Sequence, residues 1–66
     1  MRNAIKPGML YQLSSIDDLI IILKVDDYQI TYHYFDAGTT YTCGKDDFFE
    51  PKQIVNGKTV DWCVEI

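Results

Sequence analysis

Residues 19–35 read LIIILKVDDYQITYHYF. Two runs of β-branched, aliphatic and aromatic side chains flank Asp26-Asp27; such residues fit a pleated, half-buried surface, whereas adjacent aspartates favour a turn. The stretch therefore predicts a β-hairpin. No glycine fixes the loop length: a two-residue loop sets Val25 opposite Tyr28, and a four-residue loop sets it opposite Ile30. Both loops are even, so both predict the same two faces. Strict alternation places Leu19, Ile21, Leu23 and Val25 with Ile30, Tyr32 and Tyr34 toward the core. Ile20, Ile22 and Lys24 then share the opposite face with Thr31, His33 and Phe35.

That division raises two questions. Ile20, Ile22 and Phe35 are apolar on the face turned away from the expected core. Either the sheet curls over them, or they form a patch suited to self-association. Tyr32 and Tyr34 are expected to fill the interior, because a small protein needs its rings as packing volume. Tyr28, at the hairpin tip, and Tyr41, on the next strand, are freer to meet a partner.

Working outward, QIVNGKTVDWCVEI (53–66) carries Asn56-Gly57 between two β-favouring runs. A two-residue type I′ turn needs positive φ at both central positions, which these residues tolerate. The expected pairs are Val55 with Lys58, Ile54 with Thr59, Gln53 with Val60, Lys52 with Asp61 and Pro51 with Trp62. Val55, Val60, Trp62, Val64 and Ile66 then share the dry face, and Thr59, Asp61, Cys63 and Glu65 the wetter one. Asp36-Ala37-Gly38 reads as a turn before a strand over Thr39–Cys43, in which Thr39, Tyr41 and Cys43 share a side. KDDFFEP (45–51) reads as one short helical or 3₁₀ turn with acids at its positive end and Pro51 as its stop. Near the start, Pro7-Gly8 marks a turn, Met9–Leu13 a strand, and Ser14–Asp18 a loop.

Five short strands without an amphipathic helix predict an all-β fold, either a small five-stranded barrel or two packed antiparallel sheets with one short helical turn. The layout resembles the small SH3-like barrels, in which a Pro-Gly turn leads into the first strand and a 3₁₀ turn precedes the last; KPGMLY (6–11) and KDDFFEP occupy those places. The paired tryptophans of proline-binding SH3 grooves have no counterpart here. Size and style are also similar to the short accessory proteins that bacteriophages encode, and that resemblance implies a regulator or inhibitor.

A chain of 66 residues is read as one domain over 1–66, burying roughly 60% of its unfolded surface. Ten acidic against six basic residues give a formal charge of −4. Arg2, Lys6, Lys24, Lys45, Lys52 and Lys58 are scattered along the chain, which argues against generic nucleic-acid binding, because that affinity needs clustered cations. A basic partner suits the acidic balance better. No apolar run is long enough for a membrane span or signal sequence, and two cysteines fall short of a disulfide framework, so the expectation is a cytoplasmic protein.

Catalytic and metal chemistry find little support. Nucleophilic catalysis wants a base beside a thiol or hydroxyl, and His33 stands alone at a distance in sequence from Cys43 and Cys63. Those three residues match no zinc ligand spacing. Asp17-Asp18, Asp26-Asp27 and Asp46-Asp47 lack the alternating ligands of a calcium loop and read as turn and helix-start residues. The expectation is a non-enzymatic protein-binding module without cofactor or metal, monomeric or homodimeric. Asp26, Asp27, Asp46 and Asp47 would form its acidic loops, with Tyr28 and Tyr41 as its exposed rings.

Overall fold

The computed structural model describes residues 5–66; Arg2, counted above among the scattered cations, lies outside the described residues. The elements are β1 (Leu10–Leu13), β2 (Leu19–Val25), β3 (Gln29–Tyr34), β4 (Thr40–Gly44), α1 (Lys45–Phe49), β5 (Lys52–Val55), β6 (Lys58–Asp61) and β7 (Cys63–Glu65). The fold is all-β with one short helix. A five-stranded antiparallel sheet has the order β4-β3-β2-β1-β7, and β5 and β6 form a separate two-stranded sheet. Of the two architectures expected, this is the pair of sheets; the barrel does not close.

The β5–β6 hairpin has the register its turn dictates. Lys52 pairs with Asp61, Gln53 with Val60, Ile54 with Thr59 and Val55 with Lys58. Asn56 and Gly57 take φ of 53° and 78°, the left-handed conformation that a primed turn requires.

The β2–β3 hairpin closes through the four-residue loop, with Val25 opposite Ile30 and the Asp26 amide donating to the Gln29 carbonyl at 2.8 Å. Its faces differ from strict alternation on β2. Ile22 pairs with Tyr32 but Lys24 pairs with Thr31, leaving Leu23 as the extra residue of a β-bulge. One inserted residue moves every side chain on one side of it to the other face. Ile20 and Ile22 are consequently core residues, 0% and 1% exposed, while Leu23 is 49% exposed and Leu19 and Ile21 are half-buried. Of the patch expected to serve self-association, Ile20 and Ile22 are unavailable and only Phe35 remains exposed.

A second correction falls at Trp62. A single strand was expected from Lys58 onward, but the chain leaves the small sheet after β6 and joins the large one as β7, antiparallel to β1. The break reverses the faces beyond it: Cys63 is buried opposite Leu13, while Val64 and Ile66 are exposed. Ser14 ties the crossing down, its amide donating to the Trp62 carbonyl at 2.9 Å and its hydroxyl to the Asp61 carbonyl.

The core lies on one face of the large sheet, where Tyr11, Leu13, Ile20, Ile22, Ile30 and Cys63 meet Phe48. Phe48 is the only fully buried side chain of α1, whose short span ends before Pro51. Its ring meets Tyr11, Tyr32 and Trp62 edge-on at 5.5, 5.5 and 5.3 Å. These are favourable aromatic geometries. The loop before β2 is organised by Asp18, 6% exposed, whose Oδ1 accepts from the amides of Leu19 and Asp36 at 2.7 and 3.0 Å. Its carbonyl accepts from the Leu13 amide and from Gln12 Nε2. Turn chemistry therefore accounts for this aspartate.

Candidate functional site

Alternation on β3 and β4 places Tyr32, Tyr34, Tyr41 and Cys43 on the core side of the large sheet, beyond the strip that α1 covers. Tyr32 pairs with Tyr41 across the ladder, and Ile30 with Cys43. The three tyrosine rings are mutual neighbours: Tyr32–Tyr34 5.8 Å, Tyr32–Tyr41 6.2 Å and Tyr34–Tyr41 5.5 Å. Trp62 continues the row at 5.8 Å from Tyr32 and donates its indole N–H to the Phe48 carbonyl at 2.5 Å. Tyr32 and Tyr34 are half-buried, as expected of filling at the edge of a core. They also floor an open groove.

The groove has two adjoining hollows that share Tyr32 and Tyr34. One, of about 270 Å³, is bounded by Cys43, Asp47, Phe48, Pro51, Gln53 and Trp62. The other, of about 380 Å³, is bounded by Ile16, Asp18, Ala37, Thr39 and Tyr41.

Three groups in the groove, Tyr32, Tyr34 and Cys43, hold their protons more tightly than usual. Burial, then the neighbouring Cys43 and Tyr34, pushes the Tyr32 hydroxyl far above the usual phenol range. Burial likewise raises Tyr34, and it raises the Cys43 thiol despite a hydrogen bond with Tyr32 that acts the other way. Asp47 brings a carboxylate to the rim from the first turn of α1. Gln53 Oε1 is shielded from solvent and accepts no hydrogen bond. An acceptor left in this state is costly, because it has lost water without gaining a donor.

Of the six residues expected to meet a partner, five separate into two groups, and Asp46 lies in the first turn of α1. Tyr41, 52% exposed, and Asp47 line the groove. Asp26, Asp27 and Tyr28 occupy the β2–β3 turn, where Tyr28 is 83% exposed and Asp26 lies 3.9 Å from Lys24. The turn abuts the start of α1, since the Lys45 amide donates to the Tyr28 carbonyl at 2.9 Å. The Asp26-Asp27 and Asp46-Asp47 segments thus share one end of the sheet.

His33 faces the other way. It pairs with Thr40, its Nδ1 lies 2.9 Å from Thr40 Oγ1, and its ring meets Phe35 at 6.3 Å. Cys43 and Cys63 are free thiols on the two edge strands, turned to the core side. Histidine and thiols therefore lie on opposite faces of the sheet, too badly placed for a base and nucleophile to cooperate. Among the described residues no cluster of three or more His, Cys, Asp or Glu side chains is placed to hold a metal ion, and no helix is long and apolar enough to cross a membrane.

Sequence reasoning missed Gln53 and Pro51 as groove residues and read Trp62 only as core. The signal for Pro51 and Trp62 was present in the hairpin register, which sets them opposite each other; the Trp62 amide donates to the Pro51 carbonyl at 3.3 Å. Comparisons with protein-family models, with curated proteins and with solved structures give no match to this chain.

Proposed function

We propose that the chain is a non-enzymatic protein-binding module whose tyrosine groove takes a basic segment of a larger protein. One observation carries the reading: a continuous row of aromatic rings, Tyr41, Tyr34, Tyr32 and Trp62, lines the groove beside the Asp47 carboxylate in a protein of net charge −4. Ring faces attract cations through their quadrupole, and the surrounding negative charge steers a basic chain toward them. The acidic turn and the start of α1 extend the negative surface beyond the groove. In this reading the protein acts as a small regulator or inhibitor, the role that its resemblance to phage accessory proteins implies.

The test is an NMR titration of the labelled protein with a Lys/Arg-rich peptide and with a Glu-rich peptide of equal length. The basic peptide should shift resonances of Tyr32, Tyr34, Tyr41 and Trp62, and do so less strongly as salt rises. Tyr41→Ala should weaken binding by about twofold to fivefold, the range expected for losing one exposed ring–cation contact. Shifts confined to other surfaces, or binding indifferent to salt, would overturn the reading.

A further inference from the structure

Resting on that reading, we infer that the outer edge of β4 holds the basic segment by adding it to the large sheet as a sixth, antiparallel strand. The ladder with β3 fixes which backbone groups of β4 are free. Its end bonds run from the Tyr34 amide to the Thr39 carbonyl and from the Lys45 amide to the Tyr28 carbonyl, and bonded pairs in an antiparallel ladder fall at every second position. Thr39, Tyr41, Cys43 and Lys45 therefore turn their backbone groups toward β3, whereas Thr40, Thr42 and Gly44 turn theirs outward. β4 is the last strand of the sheet, with no hydrogen-bonded strand beyond it among the described residues. Native edges are usually blunted by shortness, charge, proline or a bulge. β7, at the opposite edge, has three residues and carries Glu65; β5 carries Lys52 after Pro51, and β6 carries Lys58 and Asp61. β4 reads TYTCG, five residues without charge or proline, paired to β3 without a register shift. Among these strands it alone is left open to pairing.

Charge chooses the occupant. Tyr41, 52% exposed, and Cys43 line the groove from β4. The Asp47 carboxylate stands at the end of the strand, its Oδ2 3.2 Å from where a side chain on Gly44 would begin. Lys45 at the same end is outnumbered by Asp46, Asp47 and the adjoining Asp26-Asp27 turn. Alternate side chains of an added strand fall beside Tyr41 and beside Cys43 and Asp47, where lysine or arginine meets an exposed ring and a carboxylate. The intervening side chains join Thr40 and Thr42 on the other face, which suits β-branched polar residues. A second copy of the chain fits less well. Pairing all three outward positions centres its register on Thr42, which carries Asp47 of each copy toward the acidic turn at Asp36 of the other, between chains each of net charge −4.

The experiment titrates the full labelled chain with acetyl-Thr-Lys-Thr-Lys-Thr-amide and follows amide exchange by NMR. The peptide should slow exchange at Thr40, Thr42 and Gly44 several-fold, and its glutamate version should bind about tenfold or more weakly. With the lysines on the groove side, the threonine amides of the peptide point at β4 and the lysine amides point away. N-methylation of its third and fifth residues should therefore weaken binding about tenfold or more, whereas N-methylation of its second and fourth should change it by about twofold or less. Thr42→Pro removes one outward N–H without removing a bond to β3, a position at which an edge strand tolerates proline, and should weaken binding about tenfold. The methylated peptides decide the matter independently if that variant does not fold.

Equal weakening by the two methylation patterns, or unprotected β4 amides at saturation, would overturn strand addition; if the ring signals of the groove still move with the lysine peptide, the protein-binding reading stands without it. Protection of the Thr42 amide that rises with protein concentration in the absence of peptide would give the edge to a second copy and overturn the proposed occupant. No movement of groove or β4 signals with any peptide would remove both readings.

Discussion

The two faces of the five-stranded sheet are built on different rules. On one, Tyr11, Leu13, Ile20, Ile22 and Ile30 are sealed by Phe48, and what α1 does not cover becomes the tyrosine groove. On the other, Thr31 meets Thr42 at 3.0 Å between hydroxyl oxygens, His33 meets Thr40, and Leu10, Phe35 and Val64 stand partly in solvent. The first face is held by burial and ring packing, the second by cross-strand pairs that are each worth only about 0.2–1 kcal/mol. In a chain this short the difference is decisive, because nearly all of the dry volume sits on one side of a single layer.

The largest test of that contrast is Phe48→Ala. Losing a fully buried phenylalanine costs about 3–5 kcal/mol, comparable with the whole stability of a small domain. The variant should show no cooperative transition in urea followed by circular dichroism.

Asp18→Ala probes the loop that bounds the groove. It strands the amides of Leu19 and Asp36, with an expected loss of about 1–3 kcal/mol, read as a lower urea midpoint. Tyr41→Ala, measured alongside, should change the midpoint less than Asp18→Ala does, because its ring is half in solvent.

High pH should undo the dry face selectively. Burial, followed by the nearby Asp61 charge, pushes the Cys63 thiol up to about 12, and burial raises Tyr11, Tyr32 and Tyr34 as well. The folded state holds these protons more tightly than the unfolded chain, whose thiols titrate near about pH 8.5. Stability is therefore complete below that pH and is lost as pH rises toward 12. Melting temperature should fall over this window, and Cys63→Ala should make the fall shallower.

Thr42→Ala on the open face supplies the smallest effect, within about 0.5 kcal/mol. A loss approaching that of Asp18→Ala would mean that the open face contributes far more than its geometry indicates.

Local chemistry made part of this architecture readable in advance. Asn56-Gly57 allows one tight turn, and that turn alone fixes four residue pairs. Asp26-Asp27 likewise marked a reversal, and Pro51 the end of α1. The face of β2 was not readable, because LIII is apolar at both parities and alternation cannot choose between Ile20/Ile22 and Leu19/Ile21. Packing against Tyr11 and Phe48 makes that choice, through a bulge at Leu23 that has no glycine or proline to announce it. The same limit applies at Trp62, where long-range pairing with β1 ends one strand and begins another. As for the groove, Tyr41 and Asp47 were visible as exposed candidates, but their convergence with Gln53 and Trp62 depends on how α1 and β5 fold back over the sheet.

The crossing at Trp62 also governs how the molecule comes apart. A two-stranded hairpin is marginal alone in water, and here the residue that follows it, Trp62, is bound by the carbonyl of Phe48 and the amide of Ser14 and leads directly into β7. Hairpin and sheet therefore share one joint, so neither melts without loosening the other. Calorimetry should record a single all-or-none event, and hydrogen exchange should give β5 and β6 nearly the protection of the strands they are spliced to.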